Sequence, residues 1–348
     1  MKNINYISYM KCFLLLGMLF GHVLAFVYNK DVYLIDDFKG TKYIAFIAEF
    51  LHLITFSGYF FCFGFLCNII YFNASNLQQV RKKIFNSAIK MLIGYYISAF
   101  SYRFFIHPGI KNTDVVNILT LKDIPGLSEF ILAYFGLMLI ILIFFPWIRK
   151  ISKLNVNYII LFSILLFSLS YIIPYDKIGP RLGLYLGSTK YSLFPILLYF
   201  PYFLLGVYFS KSKKIKQNIF IIIFLIFGTA IYIAYFYNKG VSPTRFPPRF
   251  EWLVGAMFFV YIYYVISICL DQWIVKNNNY NMKNLSNFAI LLGQNTFFYL
   301  ILSNIFLFAY DSIFEKQNIF NTIIIYLIVI FVPYYLLIIA RPIKRIHE

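Results

Sequence analysis

The 348 residues are 61% hydrophobic and only 13% charged, whereas a soluble globular domain averages about 25% charged; no polar stretch is long enough to bury a core of its own. The formal net charge of +18 sits in short loops between apolar runs, which reads as membrane topology and anionic headgroups, with no nucleic-acid partner expected. Cys12, Cys62, Cys67 and Cys269 all lie inside apolar runs and show neither metal-ligand spacing nor a disulfide framework.

Several apolar runs exceed 18 residues, the length that marks a transmembrane helix. The pattern predicts an all-α polytopic membrane protein, one domain over residues 1–348 with about ten transmembrane helices. The expected spans are Tyr6–Tyr28, Tyr43–Phe72, Ile84–Ile106, Leu127–Ile148, Val156–Tyr175, Tyr191–Phe209, Ile219–Tyr237, Trp252–Leu270, Phe288–Tyr310 and Ile319–Ala340. The first is too long for the apolar region of a removable signal peptide and is expected to stay. The second is long enough to tilt strongly or to break near Ser57-Gly58.

With ten spans, Arg81-Lys82-Lys83, Arg149-Lys150-Lys153, Lys211-Lys213-Lys214-Lys216 and Arg341-Lys344-Arg345 share one side. The positive-inside rule puts that side, and with it both termini, in the cytoplasm of a cell-membrane protein, a bacterial inner membrane being the expected setting. The opposite loops mix basic residues with Asp31, Asp36, Asp37, Asp114, Asp123 and Asp176. No internal repeat is visible, so the inverted-repeat signature of many transporters is missing.

The first span carries Lys11 and His22. A cation at the bilayer centre costs about 2.5–3.5 kcal/mol on insertion scales, so a helix that only anchors has no reason to keep either. At a rise of 1.5 Å per residue they stand roughly 16 Å apart, and eleven steps of 100° come to about 1100°, three turns and a small remainder. Both point to nearly one face, which must look at protein, water or substrate. Glu49 and His52, at i and i+3, share a face of the second span and read either as a functional pair or as a structural one. Lys90 and Arg103 lie in the third span, Glu129 opens the fourth and Glu251 the eighth. Arg103, Glu129 and Glu251 also read as interfacial residues touching water, and Lys90 as the buried partner of a carboxylate or of backbone carbonyls. Histidine suits general-base work because its unperturbed pKa lies near 6.5. No metal site is expected, since His22, His52, Glu49 and Glu129 are the only interior ligands and no HExxH-like spacing occurs. No Gly-x-Ser-x-Gly elbow occurs either. The outer loop Ser242–Arg249, with Arg245 and Arg249 around Pro247-Pro248, joins Arg181 and the stretch Gly179–Gly187 as a candidate outer mouth.

Taken together, these stretches resemble the acyltransferase-3 superfamily of integral membrane acyltransferases. That family opens with an Arg, ten residues and a His on the first helix; here Lys11 and His22 keep the spacing with Lys in place of Arg. Its aromatic Ser-Gly stretch corresponds either to Phe56-Ser57-Gly58-Tyr59 or to Phe61-Cys62-Phe63-Gly64-Phe65. Basic residues leading into the third helix, Phe200-Pro201-Tyr202 through Gly206, Arg245 through Pro248 and Leu292-Gly293-Gln294-Asn295 also fit. The resemblance implies an acyl-CoA donor, usually acetyl-CoA, reached from the cytoplasm, and a hydroxyl acceptor on an extracytoplasmic glycan or glycolipid. It makes His22 the catalytic base and Lys11 the residue that orients the donor or binds its phosphates, with Lys90 and Arg81 assisting on the donor phosphates. Glu49, His52, Glu129, Arg103 and Arg245 are then the candidate contacts to substrate. Lysine offers a point charge where arginine clamps phosphate bidentately, so the departure at Lys11 bears on donor binding. The competing class is a transporter or flippase of a glycan or lipid-linked intermediate, which also needs many spans with buried charges.

Overall fold

A computed structural model describes residues 5–28, 42–107, 109–211, 218–277 and 280–346. The chain runs through α1 (Asn5–Val23), α2 (Lys42–Cys67), α3 (Leu77–Ile106), α4 (Asn112–Leu119), α5 (Glu129–Ile143), α6 (Phe145–Ile151), α7 (Val156–Ser168), α8 (Pro180–Leu186), α9 (Ile196–Lys211), α10 (Ile219–Lys239), α11 (Phe250–Gly255), α12 (Met257–Asn277), α13 (Tyr280–Gln294), α14 (Thr296–Ile313) and α15 (Ile319–Ile346). Among the described residues the only extended pairing is an isolated bridge between Arg245 and Pro248. The protein is all-α and polytopic. Asp31, Asp36, Asp37, Lys213, Lys214 and Lys216 lie outside the described residues, as do the side chains of Arg341, Lys344 and Arg345.

The span count differs from the expected ten. Among the described residues, six helical runs are long and apolar enough to cross a bilayer: Asn5–Tyr28, Phe46–Phe72, Ile219–Lys239, Phe250–Asn277, Thr296–Ile313 and Ile319–Ala340. A seventh forms if α5 and α6, bent by 90° at their junction, count as one. The difference has three physical sources. Val156–Tyr171 and Ile196–Lys211 are apolar but short; sixteen residues reach only about 24 Å against a hydrocarbon core of about 30 Å. The helix α3 is long enough, yet it carries Arg81, Lys82, Lys83, Lys90 and Arg103 and falls short in apolarity. The expected Leu127–Ile148 run is the bent pair α5 and α6, whereas the Phe288–Tyr310 run, interrupted at Asn295, survives as the span Thr296–Ile313.

The helices sort into two compact units. Unit one comprises Met1–Thr55, Phe104–Pro108 and Tyr263–Glu348. Its centre is α1, which packs along α13 and also against α14 and α15. Polar side chains fasten this packing: the Tyr9 hydroxyl bonds Ser286 Oγ at 2.7 Å, and the Tyr326 hydroxyl donates to the Leu16 carbonyl at 3.0 Å.

Unit two comprises Phe56–Arg103 and Gly109–Ile262. Its centre is α9, whose residues from Leu198 to Val207 are all buried, as expected for a helix apolar on every side. The second half of α2 crosses it at glycines. A Cβ on Gly64 would stand 2.0 Å from the Phe203 carbonyl oxygen, and one on Gly206 would stand 1.9 Å from that of Phe61. Only hydrogen fits in both places, which is how small residues let helix backbones approach. The break between α11 and α12 is closed by side chains. The Tyr202 hydroxyl donates to the Leu253 carbonyl at 2.5 Å, and Thr229 Oγ1 donates to the Gly255 carbonyl at 2.9 Å while accepting from the Phe258 N–H at 3.0 Å. A bilayer offers these groups no alternative partner.

Thr229→Val removes the bridging hydroxyl and leaves a buried carbonyl and an N–H unpaired. The expected loss is about 1–3 kcal/mol, read as a lowered unfolding midpoint in thermal denaturation of the purified protein, with Thr229→Ser close to wild type.

Candidate active site

The site is built on α1, whose 19 residues contain no proline and no acidic residue in the first turn. Lys11 and His22 are both half-buried on this one helix, and the Nδ1 atom of His22 is fully buried. Between them, Gly17 and Gly21 form a seat one helical turn long. A Cβ on Gly17 would lie 3.0 Å from Leu51 Cδ2. One on Gly21 would lie 2.7 Å from Cε1 and 3.0 Å from Nε2 of His52. The first half of α2 therefore rests its His52 ring on the residue just before His22.

His52 is oriented from its own helix. Its Nδ1 lies 2.7 Å from the Ala48 carbonyl oxygen. A carbonyl can only accept, so Nδ1 carries the proton, and in the neutral ring Nε2 is the acceptor. That acceptor edge is the one laid against Gly21. Glu49, one turn earlier, is half-buried as well. Lys11, His22, Glu49 and His52 thus belong to one unit, on two helices packed through glycine.

Directly after Val23 the helix widens into a π-helical turn, Leu24–Tyr28. Such turns leave carbonyls without ordinary helical partners. Here the connection between α14 and α15 supplies them: Lys316 Nζ donates to the Phe26 carbonyl at 2.6 Å, and the Gln317 N–H donates to that of Val27 at 2.8 Å. Lys316 is held in turn by an ion pair with the buried carboxylate of Asp311. The end of α1 beyond His22 is pinned by residues almost 300 positions later.

The remaining expected residues lie in unit two. Arg81 and Lys90 are exposed on α3, so Lys90 is not the buried partner of a carboxylate; its side of the helix is not the packed one. Arg103 pairs with Asp123, its Nε and a terminal nitrogen meeting the same Oδ2 at 3.0 and 2.5 Å. Glu129 opens α5 in a buried position, and Arg245 is close enough to act on it electrostatically. Glu251 Oε1 accepts from the Tyr171 hydroxyl at 3.4 Å. Among the described residues no group of three or more His, Cys, Asp or Glu gathers as a metal set. Two contributors to the site were not singled out from sequence. Gly21 carries a signal, the Gly17-x-x-x-Gly21 spacing; Lys316 carries none, because its partners are remote carbonyls.

A helical membrane protein with a half-buried imidazole and a half-buried ammonium on its first helix has the makings of a group-transfer site. A family model described as an acyltransferase domain matches residues 4–340. The chain belongs to the acyltransferase-3 family and is a membrane acyltransferase. No curated protein and no solved structure matches it.

Gly21→Val is expected to push the His52 ring off its seat at a cost of about 1–3 kcal/mol and to reduce acyl transfer, while Gly17→Ala, which meets only a flexible leucine tip, is milder in both. Thermal unfolding and turnover measured on the same preparations check the pair. Lys316→Met is expected to cost a similar ~1–3 kcal/mol, since it removes an ion pair to a buried carboxylate and a hydrogen bond to the Phe26 carbonyl.

Proposed function

We propose that the protein moves an acyl group, in the first instance acetyl, from a cytoplasmic acyl-CoA to a hydroxyl of an extracytoplasmic glycan or glycolipid. The observation that carries this reading is the placement of Lys11 and His22, both half-buried and in register, on one uninterrupted helix of an acyltransferase-3 chain. In the reaction, His22 takes the proton of the acceptor hydroxyl as its oxygen attacks the thioester carbonyl. The tetrahedral intermediate collapses, the carbon–sulfur bond breaks, and the departing thiolate recovers the proton from the imidazolium. A positioned base of this kind contributes roughly 10²–10⁴-fold.

Lys11, half a bilayer away along the helix, would meet donor phosphate as a point charge. Arg81 and Lys90, both exposed on α3, would add to that attraction. Glu49 and His52 are proposed to meet the substrate beside His22, with Arg245 and Glu129 on the acceptor. Arg103 is the weakest of the substrate contacts, because Asp123 already occupies its guanidinium. The loop charges favour a cell membrane with both termini in the cytoplasm.

His22→Ala is expected to lower acyl transfer by about 10²-fold or more with normal membrane expression, read by mass spectrometry of surface glycans for the acyl mass increment. Undiminished transfer in that variant removes the mechanism. Lys11→Arg is expected to retain activity, and Lys11→Ala to raise the KM for acyl-CoA roughly tenfold or more. A change in the acceptor KM alone would reassign Lys11 to the other substrate.

A further inference from the structure

The elbow between α6 and α7 gathers positive charge that acyl transfer does not use. From Phe130 to Tyr175 the chain has no Asp or Glu, yet it carries Arg149, Lys150 and Lys153. Among the described residues no carboxylate pairs with any of the three. Arg149 is half-buried, and its Nε atom is fully buried with no hydrogen-bond partner in the protein. Lys150 and Lys153 are exposed. Spacings of three and four residues put Lys153 on the side of Lys150 and Arg149. The turn is fixed there: the Lys153 N–H donates to the Lys150 carbonyl at 3.0 Å, and Ser152 Oγ donates to that of Arg149 at 2.8 Å. The helix α6 itself turns 90° away from α5. It buries Phe145 and Ile148 and leaves Trp147 68% exposed. Lys150 Nζ lies 5.8 Å over that indole. Beyond the elbow, α7 buries Val156, Ile159, Ser163 and Phe167, and its outer side exposes Tyr158, Leu161, Phe162 and Leu165.

We infer that this elbow binds one anionic phospholipid, its phosphodiester held by Arg149, Lys150 and Lys153 and its acyl chains laid along α7. A buried N–H demands an acceptor, and a guanidinium has no acceptor of its own to offer a neighbour. Phosphate oxygens match its planar fork. Two ammonium groups beside it select an acceptor that is anionic. A small soluble anion would satisfy the charges and leave the α7 stripe unused. That stripe follows the i, i+3, i+4, i+7 spacing of one continuous helix face, and it begins about one turn past the basic cluster. The ligand is therefore charged at one end and hydrocarbon along the rest. If α5 runs across the bilayer, α6 runs along its surface, where an exposed indole belongs at headgroup level. Basic pockets beside transmembrane helices take anionic headgroups. A zwitterionic lipid brings its own cation to the cluster and gains less.

The test needs no turnover. The full chain, stripped of lipid in uncharged detergent, is titrated with phosphatidylglycerol while bound adducts are counted by native mass spectrometry. One saturable adduct is expected. Phosphatidylcholine with the same acyl chains should bind roughly tenfold or more weakly, and glycerophosphoglycerol, the head without the tails, should form no adduct at the same concentration. Arg149→Gln and the exposed-site double variant Lys150→Gln, Lys153→Gln should each weaken phosphatidylglycerol roughly tenfold or more. Lys276→Gln, which removes an exposed cation from α12, should leave it unchanged. Equal binding of phosphatidylcholine, or undiminished binding in both elbow variants, overturns the inference. Binding of glycerophosphoglycerol as tight as that of the lipid makes the elbow a small-phosphate site and overturns the seating of the tails. Displacement of the lipid by acetyl-CoA would hand the cluster to the acyl donor instead.

Discussion

Lipid offers no hydrogen bonds, so every helix end or break at membrane depth has to find its partners inside the protein. The break after Gly255 is met by a tyrosine from α9 and a threonine from α10. The widened turn after Val23 is met by Lys316 and Gln317. In each case the groups that satisfy the irregular backbone come from elsewhere in the chain, from α9 and α10 at the first break and from the connection between α14 and α15 at the second. Closing a backbone group and holding two helices together are therefore one act. The irregular points of the chain are also its fastening points.

The same economy shapes the surroundings of His22. A helix that presents an imidazole to a neighbour needs that neighbour close, and closeness needs glycine. Gly17 and Gly21 bring α2 onto α1, and α2 delivers a histidine whose tautomer is set by its own Ala48 carbonyl. Two imidazoles then belong to adjoining positions of packed helices, one oriented by a hydrogen bond and the other at the edge of a π-helical turn. Turns of this kind disturb the register of the side chains around them and recur at functional sites.

Fold class was open to inspection in the chain because apolar length is a property of single segments, and single segments can be measured one at a time. Span count was not. Whether Val156–Tyr171 crosses, or whether Asn295 interrupts a run, depends on local breaks that average hydropathy smooths away. That Lys11 and His22 share one helix was legible because the first apolar run is a single unbroken segment. The exposure of Lys90 was not legible for the converse reason: which face of α3 is packed depends on helices elsewhere. The proximity of Arg245 to Glu129, and the ion pair of Arg103 with Asp123, join elements whose closeness no periodicity announces. Gly21 stands between these cases, its four-residue spacing from Gly17 visible but its burden, the His52 ring, not.

The reach of Lys316 back to Phe26 has a consequence for biosynthesis. The two residues are 290 positions apart, and translation adds about 5–20 residues per second. The first helix enters the bilayer early, yet the oxygens at its far end stay unsealed until the connection before the last helix emerges, on the order of tens of seconds later. During that interval the nascent chain holds its histidine on an open-ended scaffold. Sealing of the far end of α1 is thereby tied to synthesis of the connection between α14 and α15.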